Sequence, residues 1–142
     1  KAFQLNISIA IIPLFKLIAT KEGSINKLHT ITNYQRSYYN LVKDRGGCPM
    51  LRVGVDTKFV NPLLFEAVEK LSQKFINGLI DILKKGIEFN EIKSDIDVNK
   101  YAQIILSLIE GSSLLAFTHN DETYITNAMD CIDNMIIETI KK

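Results

Sequence analysis

Metal- and redox-capable side chains are scarce in this chain. Its 142 residues hold two cysteines, Cys48 and Cys131, and two histidines, His29 and His119. The cysteines stand far apart without a C-x-x-C spacing, which argues against a disulfide framework and fits a reducing, cytoplasmic setting. The histidines lack partners at metal-ligand spacing, so no metal site is expected. A surplus of one charge is missing as well. The net charge is +1, whereas a surface that grips phosphates shows clustered Lys and Arg, so nucleic-acid contact is not expected from this chain itself. Proline, glycine and serine do not gather into a linker and no repeat is visible, so residues 1–142 read as one domain. The most apolar run, residues 7–18, is too short for a bilayer span and is interrupted by Ser8, Pro13 and Lys16, so no membrane partner is expected. Ser-His-Asp and Cys-His pairings, carboxylate–histidine clusters and a Gly-rich phosphate loop are all missing. No catalytic residue is assigned and no cofactor is expected.

What the chain does contain is helical periodicity. Hydrophobic residues make up 46%, enough for a single packed core. A first helix is expected over residues 2–19, bent near Pro13, where the backbone loses a donor. Gly23-Ser24 stops it, and Ser24 is expected to cap a second helix over 24–43, with Ile25, Leu28, Ile31, Tyr34, Tyr38 and Leu41 at three- and four-residue steps. Asp44-Arg45-Gly46-Gly47-Cys48-Pro49-Met50 is a hard corner: two glycines accept left-handed angles and Pro49 opens a short third helix, 49–56. Asn61 caps the fourth, which begins with Pro62 and runs to about residue 89, with Asn90 as a left-handed terminator. Asp97 caps the fifth, 98–118, and Asn120 or Asp121 caps the sixth, 122–141. The fold class is therefore all-α, an antiparallel bundle of about six helices. The chain also begins inside a helical pattern, and a preceding segment is expected.

The C-terminal pair differs in kind from the rest. Ile104, Ile105, Leu106, Leu108 and Ile109 point around the whole circumference of the fifth helix, and Ile125, Met129, Ile132, Ile136 and Ile140 make one stripe on the sixth. The expected solution is a four-helix bundle formed with the same pair of a second copy, a homodimer with Ile105, Ile109, Ser112, Ile125, Met129, Ile132 and Ile136 at the interface. The alternative is that the pair packs on its own core.

The order Gly46-Gly47-Cys48-Pro49, Asn61-Pro62, Gly86-x-x-x-Asn90-Glu91-Ile92, Asp95-Ile96-Asp97 and Leu108-Ile109-Glu110-Gly111 resembles the C-terminal regulatory domain of the tetracycline-repressor (TetR) family over almost the whole chain. Each motif alone is only a helix boundary or a small residue; their order and spacing carry the likeness. The resemblance implies a ligand-binding and dimerisation domain of a transcriptional repressor. An N-terminal helix-turn-helix outside this chain would contact operator DNA, and a small hydrophobic effector would release it. In the short helix after the corner this chain has Arg52 and Asp56 where many relatives carry Asn and Glu, so no polar ligand contact is carried over there.

From the residues themselves, an effector site needs apolar and aromatic walls with a few convergent polar groups. Tyr34, Tyr38, Met50, Val53, Phe65, Phe75 and Phe117 are the candidate walls, in a cavity between the second and fourth helices. Glu110 lies in the most apolar stretch, with Ser107 one turn before it, and a buried carboxylate often marks a site. Each also has a plainer role: the tyrosines as half-buried core residues, Glu110 as a salt-bridge partner across a dimer, Cys48 as an inert apolar thiol and not a redox sensor. Three functions compete: a ligand sensor, a structural dimerisation module and a small helical enzyme. An open apolar cavity favours the first and a packed interior the second; two titratable groups in hydrogen-bond reach favour the third.

Overall fold

The computed structural model describes residues 2–142. Seven α-helices follow in order: α1 Ala2–Ala10, α2 Ile12–Ala19, α3 Ser24–Val42, α4 Pro49–Thr57, α5 Pro62–Glu88, α6 Val98–His119 and α7 Thr123–Met135. No strand occurs among the described residues. The expected first helix is two, parted at Ile11. Pro13 has no N–H to offer the preceding turn, so the chain re-forms its bonding from Ile11, whose carbonyl takes the Leu14 N–H at 3.1 Å.

The helix ends follow from local chemistry. Asn61 Oδ1 accepts the Leu64 N–H at 3.2 Å and Asp97 Oδ1 that of Lys100 at 3.1 Å, as expected of N-caps. The start of α3 departs from expectation. Ser24 is its first residue, not its cap, and its hydroxyl donates to the Ile82 carbonyl of α5 at 2.7 Å. The free N–H groups of Ser24 and Ile25 go instead to the Glu91 carboxylate, at 2.6 and 3.3 Å. Glu91 is held there by a tight end to α5. Asn90 turns left-handed (φ 64°), and the N–H groups of Glu91 and Ile92 return to the Gly86 carbonyl at 2.8 and 3.0 Å. A Cβ on Gly86 would fall on the Ile92 side chain, so only glycine lets Ile92 plug this end of the core. At the other end Asn120 closes α6 in the left-handed region (φ 51°), and Asp121 Oδ1 accepts the Thr123 N–H at 2.9 Å. The last helix stops short of residue 141: α7 ends at Met135 and a π-helical turn, Ile136–Ile140, follows.

Leu28 and Ile31 of α3, Leu79 and Leu83 of α5, Ile105 and Ile109 of α6 and Ile125, Met129 and Ile132 of α7 form the main core. A smaller cluster, Ala10, Ile11, Tyr38, Val42, Cys48 and Met50, joins the α1–α2 break to the glycine corner. On the surface, Asp133 of α7 accepts from Thr32 at 2.7 Å, His29 at 2.9 Å and Arg36 at 2.6 Å, all on α3. His29 is therefore partnered.

The expected dimer-interface residues are corrected by this packing. Ile105, Ile109, Ser112, Ile125, Met129, Ile132 and Ile136 are all buried inside the single chain. The reason is that α7 lies on α3 and α6 on α5, so the long apolar stripe faces the chain's own core. By composition alone the 2–19 segment, with mean hydropathy 1.8, and α6, with 1.3, are long and apolar enough to cross a membrane. The first is broken at Ile11 and the second is a core helix of this fold.

Candidate functional site

The corner after α3 builds one wall of the site. A 3-10 turn, Lys43–Arg45, leads into Gly46 and Gly47, both left-handed (φ 87° and 81°), and the Gly47 N–H closes on the Val42 carbonyl at 3.0 Å. Cys48 is extended and Pro49 opens α4. Two consecutive left-handed residues favour glycine on backbone grounds, and the space agrees. A Cβ on Gly46 would fall on the Arg52 guanidinium, and one on Gly47 would stand 3.1 Å from the Phe117 ring. The bare backbone of Gly47 is therefore a platform against which Phe117 of α6 packs.

Between this corner, α4 and the C-terminal half of α6 lies an open cavity of about 680 Å³. Cys48, Leu51, Val55, Leu114 and Phe117 give it a mostly apolar wall, with Ser113 inside and Arg52 and Asp56 also on its lining. Behind it is a second, much smaller and more enclosed space of about 20 Å³, lined among others by Tyr34, Gln35 and Tyr38 of α3, Phe75 of α5 and Glu110 of α6. That is room for one water-sized group. Cys48 is the residue common to both linings.

Polar groups around the inner space are chained together. Tyr38 Oη donates to Cys48 Sγ at 3.5 Å, and Cys48 Sγ donates to Glu110 Oε2 at 3.5 Å. Gln35 Nε2 donates to Ser113 Oγ at 2.7 Å, and Tyr34 Oη donates to the Ala10 carbonyl at 2.7 Å. That carbonyl sits at the α1–α2 break, where the helical pattern no longer supplies its partner. Tyr34 therefore ties the break to the site.

Burial sets the protonation states. Desolvation pushes the Glu110 carboxyl up to about 7, against the opposing hydrogen bond from Cys48. Desolvation, then the nearby Glu110 charge, pushes the Cys48 thiol up to about 12, so it stays protonated and is neither a nucleophile nor a ready redox sensor. Desolvation also raises Tyr38 and Tyr34.

The sequence-based site residues divide accordingly. Tyr34, Tyr38, Met50, Phe75 and Glu110 surround the inner space, and Phe117 lines the outer cavity. Val53, Phe65 and Ser107 line neither: Val53 and Phe65 are half-buried on α4 and α5, the latter with Lys58 Nζ 5.8 Å from its ring centre, and Ser107 is exposed. The large apolar cavity is thus not between the second and fourth helices of the sequence reading, where the expected aromatic residues enclose only the small inner space, but between α4 and α6. Sequence reasoning missed Leu51, Val55, Leu114 and Gln35 and set Arg52 and Asp56 aside. The four-residue step from Leu51 to Val55 was the available signal for an apolar α4 face. Among the described residues no group of three or more His, Cys, Asp or Glu stands at metal-binding distance.

Residues 24–132 match the family described as tetracyclin repressor-like, C-terminal domain. Two crystal structures share the fold. A TetR transcriptional regulator from Chloroflexus aurantiacus J-10-FL has a TM-score of 0.86 at 21% identity, the match covering 98% of this chain and 70% of that one. A TetR-family transcriptional regulator from Cytophaga hutchinsonii has a TM-score of 0.83 at 22% identity, covering 98% and 69%. No curated protein sequence matches the chain.

Proposed function

This chain belongs to the tetracyclin repressor-like C-terminal domain family, the ligand-binding and dimerisation part of transcriptional regulators, and on that premise we propose that its outer cavity receives a small hydrophobic effector. The observation that carries the reading is the 680 Å³ apolar cavity, of a volume ordinary for small-molecule sites, beside a cluster of convergent polar groups. Effector binding is transmitted through α1 and α2 to a helix-turn-helix unit outside these residues and releases it from operator DNA. The route is short. Cys48 borders both spaces, the inner space touches Ala10, Ile11 and Leu14, and Tyr34 holds the Ala10 carbonyl at the helix break. The effector acts only to the extent that it binds one state better, typically by ~1–3 kcal/mol of coupling.

The regulator works as a homodimer through the outward face of the C-terminal pair. That face carries Ile104, Leu108, Gly111 and Leu115 of α6 and Tyr124, Ala128, Cys131 and Met135 of α7, all half-buried or exposed in the single chain. A Cβ on Gly111 would meet nothing within 4 Å, so the backbone there is open to close approach by a partner helix. The enzyme reading loses its support at Cys48: Tyr38, Cys48 and Glu110 are in hydrogen-bond reach, but the thiol is held protonated.

The test is a thermal-shift screen of hydrophobic small molecules, followed by operator affinity of the chain joined to its DNA-binding unit. Ligands that raise the melting temperature should weaken operator binding, and Val55→Trp, which fills the cavity from its exposed rim, should mimic or block them. Operator affinity indifferent both to every stabilising ligand and to Val55→Trp sinks the sensor and leaves a dimerisation module.

A further inference from the structure

Glu110 is a half-buried carboxylate that forms no ion pair with any Lys, Arg or His among the described residues. Its hydrogen-bond donor is the Cys48 thiol at 3.5 Å, a weak one. The polar groups on the same lining are the Tyr38 hydroxyl and the Gln35 amide from α3 and that thiol from the corner, while the Tyr34 hydroxyl is taken up by the Ala10 carbonyl. The lining residues from α1, α2, the break between them and α5, namely Ala10, Leu14, Ile11 and Phe75, are apolar. A desolvated carboxylate in such surroundings is costly unless a proton or a cation joins it. Tyr34 and Tyr38 add two aromatic rings with centres 6.4 Å apart, and ring faces attract cations. The space beside Glu110, about 20 Å³, fits a water-sized head such as an ammonium group and is too small for a trimethylammonium. The much larger apolar cavity begins on the other side of Cys48.

We propose that the effector is a primary amine with an apolar tail, its ammonium head on Glu110 between the corner and Tyr38, its tail against Leu51, Leu114 and Phe117. The assignment rests on the outer cavity being the effector site. Entry of the head turns the Cys48 thiol off Glu110. A carboxylate ligand would set like charges together, and an alcohol would leave Glu110 without a counter-charge.

Three probes of one shape test it: 4-phenylbutylamine, 4-phenylbutanol and 4-phenylbutyrate, titrated by calorimetry into the protein and into Glu110→Gln, each variant first shown to melt cooperatively. At pH 8 the amine should bind roughly tenfold or more tighter than the alcohol, and Glu110→Gln should erase the difference. The amine stays charged from pH 6 to pH 8 while Glu110 ionises, so its affinity should rise roughly tenfold over that interval in the protein and stay flat in Glu110→Gln. Equal binding of amine and alcohol, tightest binding of the acid, or an amine preference that survives Glu110→Gln overturns the proposal. Equal binding that Val55→Trp abolishes removes the amine but keeps the cavity; binding that Val55→Trp leaves untouched removes the cavity too.

Discussion

At the scale of single residues, Glu110 shows how much one position can set. An ordinary carboxyl on a helix surface titrates near 4.5, and burial against aromatic and apolar neighbours carries this one to about 7. The folded state therefore holds the proton to a higher pH than the unfolded chain does. The stability contributed by that retained proton is fully present below about 4.5 and is lost as pH rises to about 7. Glu110→Gln removes the dependence. Melting curves should place the variant above the parent protein at pH 8, by on the order of 3 kcal/mol at most, and close to it at pH 4. A variant less stable at pH 8 would mean that the Cys48 hydrogen bond outweighs desolvation. Cys48 follows the same logic in reverse: neighbouring Arg45 and Arg52 suggest an activated thiol, yet burial leaves it inert.

At the scale of elements, α3 is held by contacts distant in sequence. Its N-terminus is closed by Glu91 from the loop after α5, and its exposed side is tied to α7 by Asp133. Burial alone would raise the Asp133 carboxyl, but hydrogen bonds from Thr32, Arg36 and His29 outweigh it and hold the group below its ordinary value. A depressed carboxyl contributes stability above its unfolded value of 3.8 and loses it as pH falls through the folded one. Asp133→Ala should accordingly lower stability by about 1–3 kcal/mol at pH 7, with a smaller difference at pH 3, below the unfolded value of 3.8. Denaturant melts at the two pH values check both halves. A destabilisation that persists undiminished at pH 3 would show that the tie acts through packing and not through its charge.

At the scale of the whole molecule, α6 and α7 each have two apolar sides with different work. The inward side is the chain's own core, where Ile132 is 1% exposed, and the outward side leaves Leu115 at 41%. The two sides separate folding from association. Ile132→Asp should unfold the chain, since an unpaired charge is then buried in a packed core. Leu115→Arg should leave the helical circular dichroism unchanged and convert a dimer to a monomer in light scattering. If Leu115→Arg remains dimeric, the outward face of α6 is not the association surface.

Most of the fold was legible in the residue order because it depends on local chemistry. Helix periods, the caps Asn61 and Asp97 and the left-handed Asn90 each act within a turn of their own position, and they fall where expected. The break of the first helix was legible at Pro13 for the same reason. The site was only half legible. Tyr34, Tyr38 and Glu110 were singled out as aromatic or charged residues in apolar company, and their meeting around the inner space, with Tyr38 and Glu110 bonded to Cys48, depends on how α3, the corner and α6 cross. The sequence alone determined that α6 and α7 are too apolar to stand free in water. Which side of α6 turns inward was decided by the tertiary structure, because a helix apolar around its circumference has no period by which to choose, and only the positions of α5 and α7 make Ile105 and Ile109 core and leave Ile104, Leu108 and Leu115 on the outer side.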